Sequence, residues 1–596
     1  MNRTHYFFLT CLIIGISLSP TPGLSEAIPV EIRQEDDGWT LYRGGEPYFI
    51  RGAGGTASLE KLAAAGANSV RTWDTKNIDT LLDEAHALGL SVTAGIWLGH
   101  ERHGFDYNDQ TQVDQQLRRA RQAVLRYKDH PALLLWGIGN ETEGFAEGDN
   151  RKIWSAINDV AAMVKELDPN HPTMAVTTFV HGKRIEYLHN KSPAIDIHGV
   201  NAYGGALVLP ERLRAGGATK PFVLTEFGPV GPWEMPKTDW GAPLEQTSTD
   251  KAAFYRRVYG TAIAGEPGRA LGSYAFLWGH KMEATSTWFG MFLADGASTA
   301  AVDVMSELWS EKKPDNLAPK VEPLVMDGAT KLDPNATIDV AAAVEDPDQD
   351  ALRAVWVLRP ESGDYATGGD FRPNLPDIKD AIIEGDLKGV KVQMPDAPGA
   401  YRLFFYAYDD AGNVATANLP LLVKGEVVGP RLPVSVYEDS FENMPWSPSG
   451  WMGSTDSLTL DGDYREDKHD GFASIKMRYE GTFGWVGVAW QHPPNNWGDQ
   501  DGGHELTGAK ALEVWARGEY GGEKVSFGVG LLEEDRAHPD SAIAKIDGIQ
   551  LTRDWQKYRV PLKRADLSSI KTGFVVTLTG RKTPVTIYLD SIRFVR

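Results

Sequence analysis

The chain has 596 residues, of which 42% are hydrophobic and 24% are charged, and its formal net charge at pH 7 is −21. That length exceeds what one hydrophobic core supports and predicts several domains. The negative charge argues against nucleic acid or an anionic membrane surface as the main partner, because both attract basic patches.

The first residues resemble an export signal. Arg3 supplies a positive start, an apolar run extends from Tyr6 to Leu18, and small residues at Ser25 and Ala27 suit a cleavage site. We predict a signal peptide over 1–27 and a bacterial protein that is periplasmic or secreted, with an uncleaved anchor as the alternative. The apolar run is too short to span a bilayer comfortably, so we expect no transmembrane span in the mature chain.

Cysteine usage narrows the chemistry. Cys11 is the only cysteine and lies inside the predicted signal peptide. A mature chain without cysteine has no disulfides, no thiolate metal sites and no cysteine nucleophile.

Over 28–318 short apolar runs alternate with amphipathic stretches. The runs are Phe49–Gly55, Ala67–Trp73, Leu90–Gly99, Leu133–Glu141, Thr173–Thr178, Ile195–Tyr203, Pro221–Gly228 and Leu271–His280. Several are apolar at consecutive positions, as expected for parallel strands that are buried on both faces. Eight strand–helix units in this length predict a (β/α)₈ TIM barrel. A doubly wound open sheet is the rival, but no glycine-rich phosphate loop follows the first run.

Two β-rich regions follow the barrel. Residues 319–425 contain turn clusters and the run Gly399–Asp409, which resembles the late strands of immunoglobulin-like sandwiches. Residues 430–596 are again strand-dominated, and their closing segment Tyr588–Phe594 resembles jelly-roll modules of carbohydrate-active enzymes. We therefore predict a multidomain protein in which the barrel precedes two β-sandwich domains, first immunoglobulin-like and then jelly roll.

Two glutamates occupy the positions where barrels carry their chemistry, the carboxyl ends of the strands. Glu141 ends the fourth apolar run, and Glu226 lies two residues before the end of the seventh. Hydrolysis of a glycosidic bond needs two carboxyl groups on opposite sides of the anomeric carbon. Either glutamate alone is equally well explained as a helix cap or loop anchor, whereas the pair predicts a glycosidase.

The residues around these glutamates resemble a known clan. Asn140-Glu141 after strand four and Glu226 after strand seven are similar to the signature of the clan A glycoside hydrolases. The segments Trp136–Glu141 and Asn201–Gly205 most resemble the family 2 catalytic barrel. The resemblance implies that Glu141 is the acid/base, that Glu226 is the nucleophile and that anomeric configuration is retained. A neighbouring family of endo-acting β-glucanases in the same clan is the alternative.

Three further residues are predicted to contact the site. Arg71 ends strand two, where a guanidinium would keep the nucleophile ionised; a surface ion pair is the alternative. Tyr203 follows strand six and could donate to Glu226, or simply pack. Asn140 could bind the sugar 2-hydroxyl, or form a turn.

Aromatic residues and histidines supply weaker candidates. Trp278 ends strand eight and is predicted as the platform beneath the sugar, with core packing as the alternative. Trp97 after strand three and His198 in strand six are predicted to bind substrate. No residue spacing in the barrel indicates a metal site, and we expect no cofactor in catalysis.

The last domain contains a cluster of aromatic and acidic residues. Its closely spaced tryptophans are Trp446, Trp451, Trp485, Trp490 and Trp497. They are predicted either to form an exposed sugar-stacking platform or to pack in the core. Asp439, Asp470 and Asp590 resemble positions at which related jelly rolls hold a structural calcium, although acids exposed to solvent are common in so acidic a chain.

Together these features predict a retaining β-glycoside hydrolase whose substrate is a polysaccharide or oligosaccharide, most simply a β-glucan. The appended modules favour a polymer over a small glycoside. A transglycosylase would use the same intermediate with a sugar hydroxyl as acceptor. A non-catalytic polysaccharide-binding envelope protein is the alternative from another class.

Overall fold

A computed structural model of the chain describes residues 27–595, except 77, 104, 362–376, 379, 426–431, 442–443, 482–483 and 563–564. The predicted signal peptide lies outside the described residues apart from Ala27. In the part of the chain that is described, no helix combines the length and the hydropathy needed to cross a membrane.

An antiparallel hairpin precedes the barrel and closes its lower end. It consists of β1 (Val30–Glu35), β2 (Gly38–Arg43) and β3 (Glu46–Pro47). Val30 donates its backbone N–H to the carbonyl of Asn170, and Trp39 donates to that of Gly268, just before two barrel strands begin. Val30 and Leu41 are buried against the apolar residues of the barrel interior. The amino-terminal end of the barrel is therefore plugged.

The first large domain is a closed parallel barrel. Its strands are β4 (Ile50–Gly54), β5 (Ser69–Arg71), β6 (Ser91–Ile96), β7 (Leu133–Ile138), β8 (Thr173–Thr178), β9 (Ile197–Asn201), β10 (Phe222–Phe227) and β11 (Ala270–Ala275). β11 pairs in parallel with β4, which closes the ring and excludes the open sheet. The predicted (β/α)₈ barrel is confirmed, and each of the eight apolar runs overlaps one of its strands.

A helix follows each barrel strand. The helices are α1 (Leu59–Ala64), α2 (Asp79–Ala87), α3 (Gln110–Tyr127), α4 (Arg151–Leu167), α5 (Arg184–Asn190), α6 (Leu209–Ala215), α7 (Ser248–Val258) and α8 (Ala300–Ser310). Local sequence sets several starts: the Asp109 side chain accepts from Thr111 N ahead of α3, and that of Asn150 accepts from Lys152 N ahead of α4. Apolar residues of α4 recur at helical spacing and face the strands.

The middle domain is a sandwich of two four-stranded sheets. The strands are β12 (Lys320–Val321), β13 (Val325–Met326), β14 (Lys331–Leu332), β15 (Thr337–Ala341), β16 (Val344–Glu345), β17 (Arg353–Pro360), β18 (Ile382–Gly385), β19 (Gly389–Gln393), β20 (Gly399–Tyr408) and β21 (Val414–Val423). One sheet has the order β13-β15-β19-β18 and the other has the order β14-β21-β20-β17, while β12 pairs with β16. Its core contains Trp356 and Phe405, which pack with their ring centroids 4.4 Å apart.

The last domain is a larger sandwich. The strands are β22 (Val434–Tyr437), β23 (Ser447–Gly453), β24 (Leu458–Tyr464), β25 (Ser474–Tyr479), β26 (Trp485–Gln491), β27 (Ala511–Gly518), β28 (Lys524–Val529), β29 (Ala544–Gln550), β30 (Gln556–Pro561), β31 (Thr572–Thr579) and β32 (Val585–Val595). One sheet has the order β24-β25-β32-β27-β30, with β22 paired to β32, and it faces a second sheet with the order β23-β26-β31-β28-β29. The predicted fold class, a TIM barrel followed by β-sandwiches, is confirmed.

Candidate active site

A cleft of about 1050 Å³ opens at the carboxyl ends of the barrel strands. Both predicted catalytic glutamates line it. Its other walls come from the loops after strands two to eight of the barrel, and the residues that bear on the chemistry are Trp73, Trp97, Asn140, Asn201, Tyr203, Trp233 and Phe276. The site therefore lies at the end of the barrel where such enzymes carry out their chemistry.

Glu226 is held by three hydrogen-bond donors. Its side chain is only 7% exposed, and Oε1 accepts from Arg71 Nη1 at 3.0 Å and from Trp73 Nε1 at 2.7 Å. Oε2 accepts from the Tyr203 hydroxyl at 2.8 Å. Donors on both oxygens fix the plane of the Glu226 carboxyl group in the cleft.

A chain of hydrogen bonds connects this carboxylate to Glu141. Arg71 Nη2 donates to Asn140 Oδ1 at 2.7 Å, and Asn201 Nδ2 donates to the same oxygen at 3.1 Å. Asn201 Nδ2 also donates to Glu141 Oε1 at 2.9 Å. Arg71 is buried, 2% exposed, so the chain is sheltered from water along most of its length.

The backbone at Glu141 is strained. Its φ of +54° lies in the left-handed region, which a non-glycine residue adopts at a cost of about 1–3 kcal/mol. Two bonds hold the turn: Glu141 N–H donates to Val176 O at 2.9 Å, and Gly144 N–H donates to Glu141 O at 3.0 Å. The conformation turns the carboxyl group out of the strand and into the cleft.

The surroundings of Glu141 favour its protonated form. Burial, and then the negative charge of Glu226, raise the pKa of Glu141 to about 8. Burial and the charge of Glu226 also raise the pKa of Tyr203 well above its usual value, so its hydroxyl stays a donor. At neutral pH Glu141 thus carries a proton that it can donate, as acid-assisted displacement requires.

Two exposed tryptophans lie on opposite sides of the cleft. Trp97 follows β6, is 44% exposed and stacks on His100 with ring centroids 4.8 Å apart. Trp233 follows β10, is 52% exposed and packs edge-on against Tyr203 at 5.5 Å. Strands three and seven stand opposite each other in an eight-stranded ring. Each ring therefore has a face available for stacking on a sugar.

Trp278 does not reach the cleft, so its prediction as the sugar platform is wrong. It is 0% exposed, its indole donates to Ser58 O at 2.9 Å, and it packs against Phe292 and Trp309. β11 ends at Ala275, earlier than the apolar run suggests. Phe276 is therefore the first residue after strand eight that lines the cleft. Phe276 packs edge-on against Trp73 at 5.8 Å.

His198 is also misassigned by the sequence. It lies on the outer face of β9, opposite to the face that carries Asn201, is 1% exposed and contacts Thr177 Oγ1 through Nε2 at 2.9 Å. Burial lowers its pKa to about 3, so the ring is neutral at physiological pH. It is a buried core histidine and does not line the cleft.

Sequence reasoning missed Trp73 and Asn201 as site residues. Each lies two residues from a site residue that the sequence predicts. Trp73 lies two residues after Arg71, and Asn201 lies two residues before Tyr203. Side chains two apart along an extended segment point to the same side. That spacing was the available signal for both.

The tryptophans of the last domain divide into two groups. Trp446 and Trp490 are 1% and 0% exposed and belong to the core. Trp451 and Trp485 are 37% and 47% exposed and lie on the adjacent strands β23 and β26. Trp497 is half-buried. A platform of all five is thus ruled out, and Trp451 and Trp485 remain candidates.

The acidic residues named as calcium ligands bind backbone amides. Asp439 Oδ1 accepts from Ala473 N at 3.0 Å, and Asp590 Oδ2 accepts from His469 N at 2.7 Å and Asp470 N at 3.2 Å. These contacts fasten the loop before β25, and the calcium assignment stays a prediction. Elsewhere in the described residues, Asp346, Asp350 and Asp409 of the middle domain bring carboxylate oxygens within 4.8 Å of one another.

Comparisons with known proteins match two of the three domains, the barrel and the last sandwich. Residues 59–230 match the TIM barrel domain of the glycosyl hydrolases family 2. Residues 434–596 match carbohydrate binding domain 30. The barrel is therefore family 2-like and is combined with a carbohydrate-binding module, and the match supports glycosidase activity.

Individual relatives are distant. Probable mannan endo-1,4-β-mannosidase C of Aspergillus terreus (strain NIH 2624 / FGSC A1156) is 25% identical over 162 residues, which cover 23% of this chain and 39% of that protein. Among solved structures, the β-glucuronidase of Bacteroides uniformis is 12% identical with a TM-score of 0.37, over 94% of this chain and 67% of the other. The endo-β-1,4-mannanase of Thermotoga petrophila is 13% identical with a TM-score of 0.33, over 64% and 98%.

Proposed function

We propose that this protein is a retaining β-glycoside hydrolase that cleaves a polysaccharide, most simply a β-glucan, with Glu226 as nucleophile and Glu141 as acid/base. The observation that carries the proposal is the contrast between the two carboxyl groups. Glu226 receives three donors, whereas burial and the charge of Glu226 raise the pKa of Glu141 to about 8.

In the first step, Glu226 attacks the anomeric carbon and the bond to the leaving oxygen breaks. Glu141 donates its proton to that oxygen, so the leaving sugar departs as an alcohol and Glu226 becomes a glycosyl ester. In the second step, Glu141 accepts a proton from water while the water oxygen attacks the same carbon, which releases Glu226 as carboxylate. Two inversions restore the original configuration.

The charge of Glu226, which is lost when the ester forms, lets one pair of glutamates serve both steps. While Glu226 is charged, it opposes ionisation of Glu141, which therefore stays an acid. Ester formation removes that charge, and Glu141 can then ionise and act as the base. Asn201 remains a donor to Glu141 throughout, and so can stabilise the carboxylate once it forms.

Three features support a polymeric substrate that is cleaved internally. The cleft volume of about 1050 Å³ lies at the upper end of the range for small-ligand sites. Trp97 and Trp233 offer stacking faces at opposite edges, so sugar units can be held on both sides of the cleaved bond. A carbohydrate-binding module would keep the barrel near an insoluble chain by raising its effective concentration.

The test is a screen of the full-length protein against defined β-1,3-, β-1,4- and mixed-linkage glucans, with β-mannan included because a relative is named for mannan. We expect new reducing ends from at least one β-glucan, an initial product with the substrate's anomeric configuration by NMR, and none from Glu226→Ala. Products longer than the substrate would indicate transglycosylation. Binding without cleavage of any polymer, or an inverted initial product, would contradict the proposal.

A further inference from the structure

Two loops form the wall of the cleft beside Trp233, and the middle domain contacts both. The loop after β10 supplies Trp233, Glu234 and Lys237 to the cleft, and the loop after β11 supplies Phe276, Leu277, Lys281 and Glu283. Neither loop contains a helix or a long strand in which internal bonds would fix its shape. Contacts with other parts of the chain therefore help to set their positions.

Glu245, in the first loop, is the centre of those contacts. Its side chain is 0% exposed, and it accepts hydrogen bonds from four side chains of three other segments. The donors are Lys251 Nζ of α7 at 2.5 Å, Thr285 Oγ1 at 2.6 Å and Thr287 Oγ1 at 2.8 Å of the second loop, and Asn418 Nδ2 of β21 at 2.7 Å. One buried carboxylate thus joins both loops, a barrel helix and the middle domain.

Arg402 of β20 completes the connection. Its side chain is 1% exposed and pairs with Glu361 at 2.5 Å. Nη1 donates to Asn418 Oδ1 at 2.7 Å, and Nη2 donates to the backbone carbonyl of Pro243 at 2.8 Å. The middle domain therefore holds the first loop by a backbone atom as well as through Glu245.

The positions held in this way lie directly opposite cleft residues. Pro243 forms an antiparallel bridge with Lys237, and Leu244 N–H donates to Pro236 O at 2.9 Å. In the second loop, Glu283 N–H donates to Thr285 O at 3.1 Å. A displacement of Pro243 or Thr285 would thus be passed to Lys237 or Glu283 through a single hydrogen-bonded step.

Buried charges stabilise the contacts of Glu245 with the two loops and the middle domain. Burial acts to raise the pKa of Glu245, but Lys251 and Arg402 outweigh it, so that pKa lies below its usual value and the carboxylate stays charged. A buried charge that loses one donor is left partly uncompensated, which costs more than the same loss at the surface. The loops are therefore strongly biased to the arrangement that supplies all four donors.

We propose that Arg402 and Asn418 are positioning residues of the active site, through which the middle domain sets the shape of the cleft wall around Trp233, Lys237 and Glu283. The effect on hydrolysis rests on the proposed function, whereas the effect on the loops does not. The domain after the barrel is then part of the substrate site without touching substrate.

The test uses full-length Asn418→Ala, which removes one donor from Glu245 without changing any cleft residue. Hydrogen exchange followed by mass spectrometry should show faster exchange, about tenfold, in peptides covering 236–247 and 281–288. Peptides from β6 and β7 on the far side of the barrel should exchange as in the wild type. Thr285→Val, which removes a donor from the same oxygen on the loop side, should speed the same two segments.

The matched control is Lys391→Ala, which removes an exposed ion pair with Glu384 in the sheet of the middle domain that lacks Arg402 and Asn418. On a polymer that the wild type cleaves, Asn418→Ala should raise KM about tenfold with kcat within twofold, and the control should change neither. Unchanged exchange in both loops of a folded Asn418→Ala protein would overturn the inference. If the wild type cleaves no glycoside, the proposed function fails and the exchange result still decides this inference.

Discussion

Asn201 donates one side-chain amide group both to Glu141 Oε1, at 2.9 Å, and to Asn140 Oδ1, at 3.1 Å. Because Asn140 also accepts from Arg71, and Arg71 binds Glu226, a change at either glutamate is communicated to the other through three intermediate side chains. The assignments of acid and nucleophile can therefore be tested separately, but each test reports on a coupled pair.

Replacing each glutamate with alanine should give opposite results with azide. Glu141→Ala lacks the acid, yet an activated aryl glycoside needs no proton to leave, so it should still glycosylate Glu226. The intermediate should accumulate and be found on Glu226 by mass spectrometry. Azide should then restore turnover with a product of retained configuration.

With Glu226→Ala, azide should occupy the vacated side of the sugar and give the inverted product. The assignment of the two roles would be reversed if the two variants exchanged these outcomes. Full activity in both variants would place the chemistry elsewhere in the barrel.

Trp73→Phe should lower kcat while leaving the fold intact. Phenylalanine keeps an aromatic ring against Phe276 but removes the N–H that binds Glu226 at 2.7 Å. A hydrogen bond to a charged group contributes about 1.5–3 kcal/mol, so kcat/KM should fall about 10- to 100-fold. Circular dichroism and thermal unfolding should match the wild type, and a variant that is fully active would show that Arg71 and Tyr203 suffice.

The pH profile should report the proton on Glu141. Only the protonated form donates to the leaving oxygen, and its pKa is raised to about 8, so kcat/KM on a natural substrate should fall as pH rises through about 8. Glu141→Gln assayed on an activated aryl glycoside should lose this limb, because no proton donor is needed there. A limb that persists unchanged in Glu141→Gln would belong to another group.

Glu141→Gln should also make the protein more stable at neutral pH. The pKa of Glu141 is raised in the folded state, so the proton contributes stability that is present below the unfolded value of about 4.5 and is lost as pH rises through about 8. Glutamine keeps the neutral form at every pH. We expect a higher melting temperature than the wild type at pH 9 and little difference at pH 4.

Trp451 and Trp485 should contribute to retention on polymer and not to the chemistry. Their replacement by alanine should weaken binding of the full-length protein to an insoluble substrate about three- to tenfold, with hydrolysis of a short oligosaccharide unchanged. Tyr520→Ala is the control, since Tyr520 is a 60% exposed aromatic residue in the same domain. Equal retention by all three variants would make the two tryptophans ordinary surface residues.

The sequence predicts the barrel well because its strands are continuous apolar runs. β7 and β10 each place a glutamate one to three residues from the strand end, and the pair indicates a glycosidase where either glutamate alone would not. Strand ends are less certain, and an error of a few residues at β11 was enough to select Trp278 in place of Phe276. Burial of Trp278 depends on Phe292 and Trp309, which no local pattern connects to it.

Contacts between domains lie beyond pattern reading for the same reason. Glu245, Lys251 and Arg402 each look like solvated charges in the sequence, and Arg402 is separated from Pro243 by 159 positions. Only the packed structure shows that their side chains are buried and complementary. Similarly, no local sequence pattern separates the buried Trp446 and Trp490 from the exposed Trp451 and Trp485.

The plug formed by β1–β3 has a practical consequence. It covers the amino-terminal end of the barrel, with Arg43 bound to Pro131 O and Tyr48 to Asn68 O just before two barrel strands begin. The cleft is at the other end, so an affinity tag, linker or solid support joined ahead of Ile28 would lie on the side away from substrate. Immobilisation through that end should leave the cleft accessible from solution.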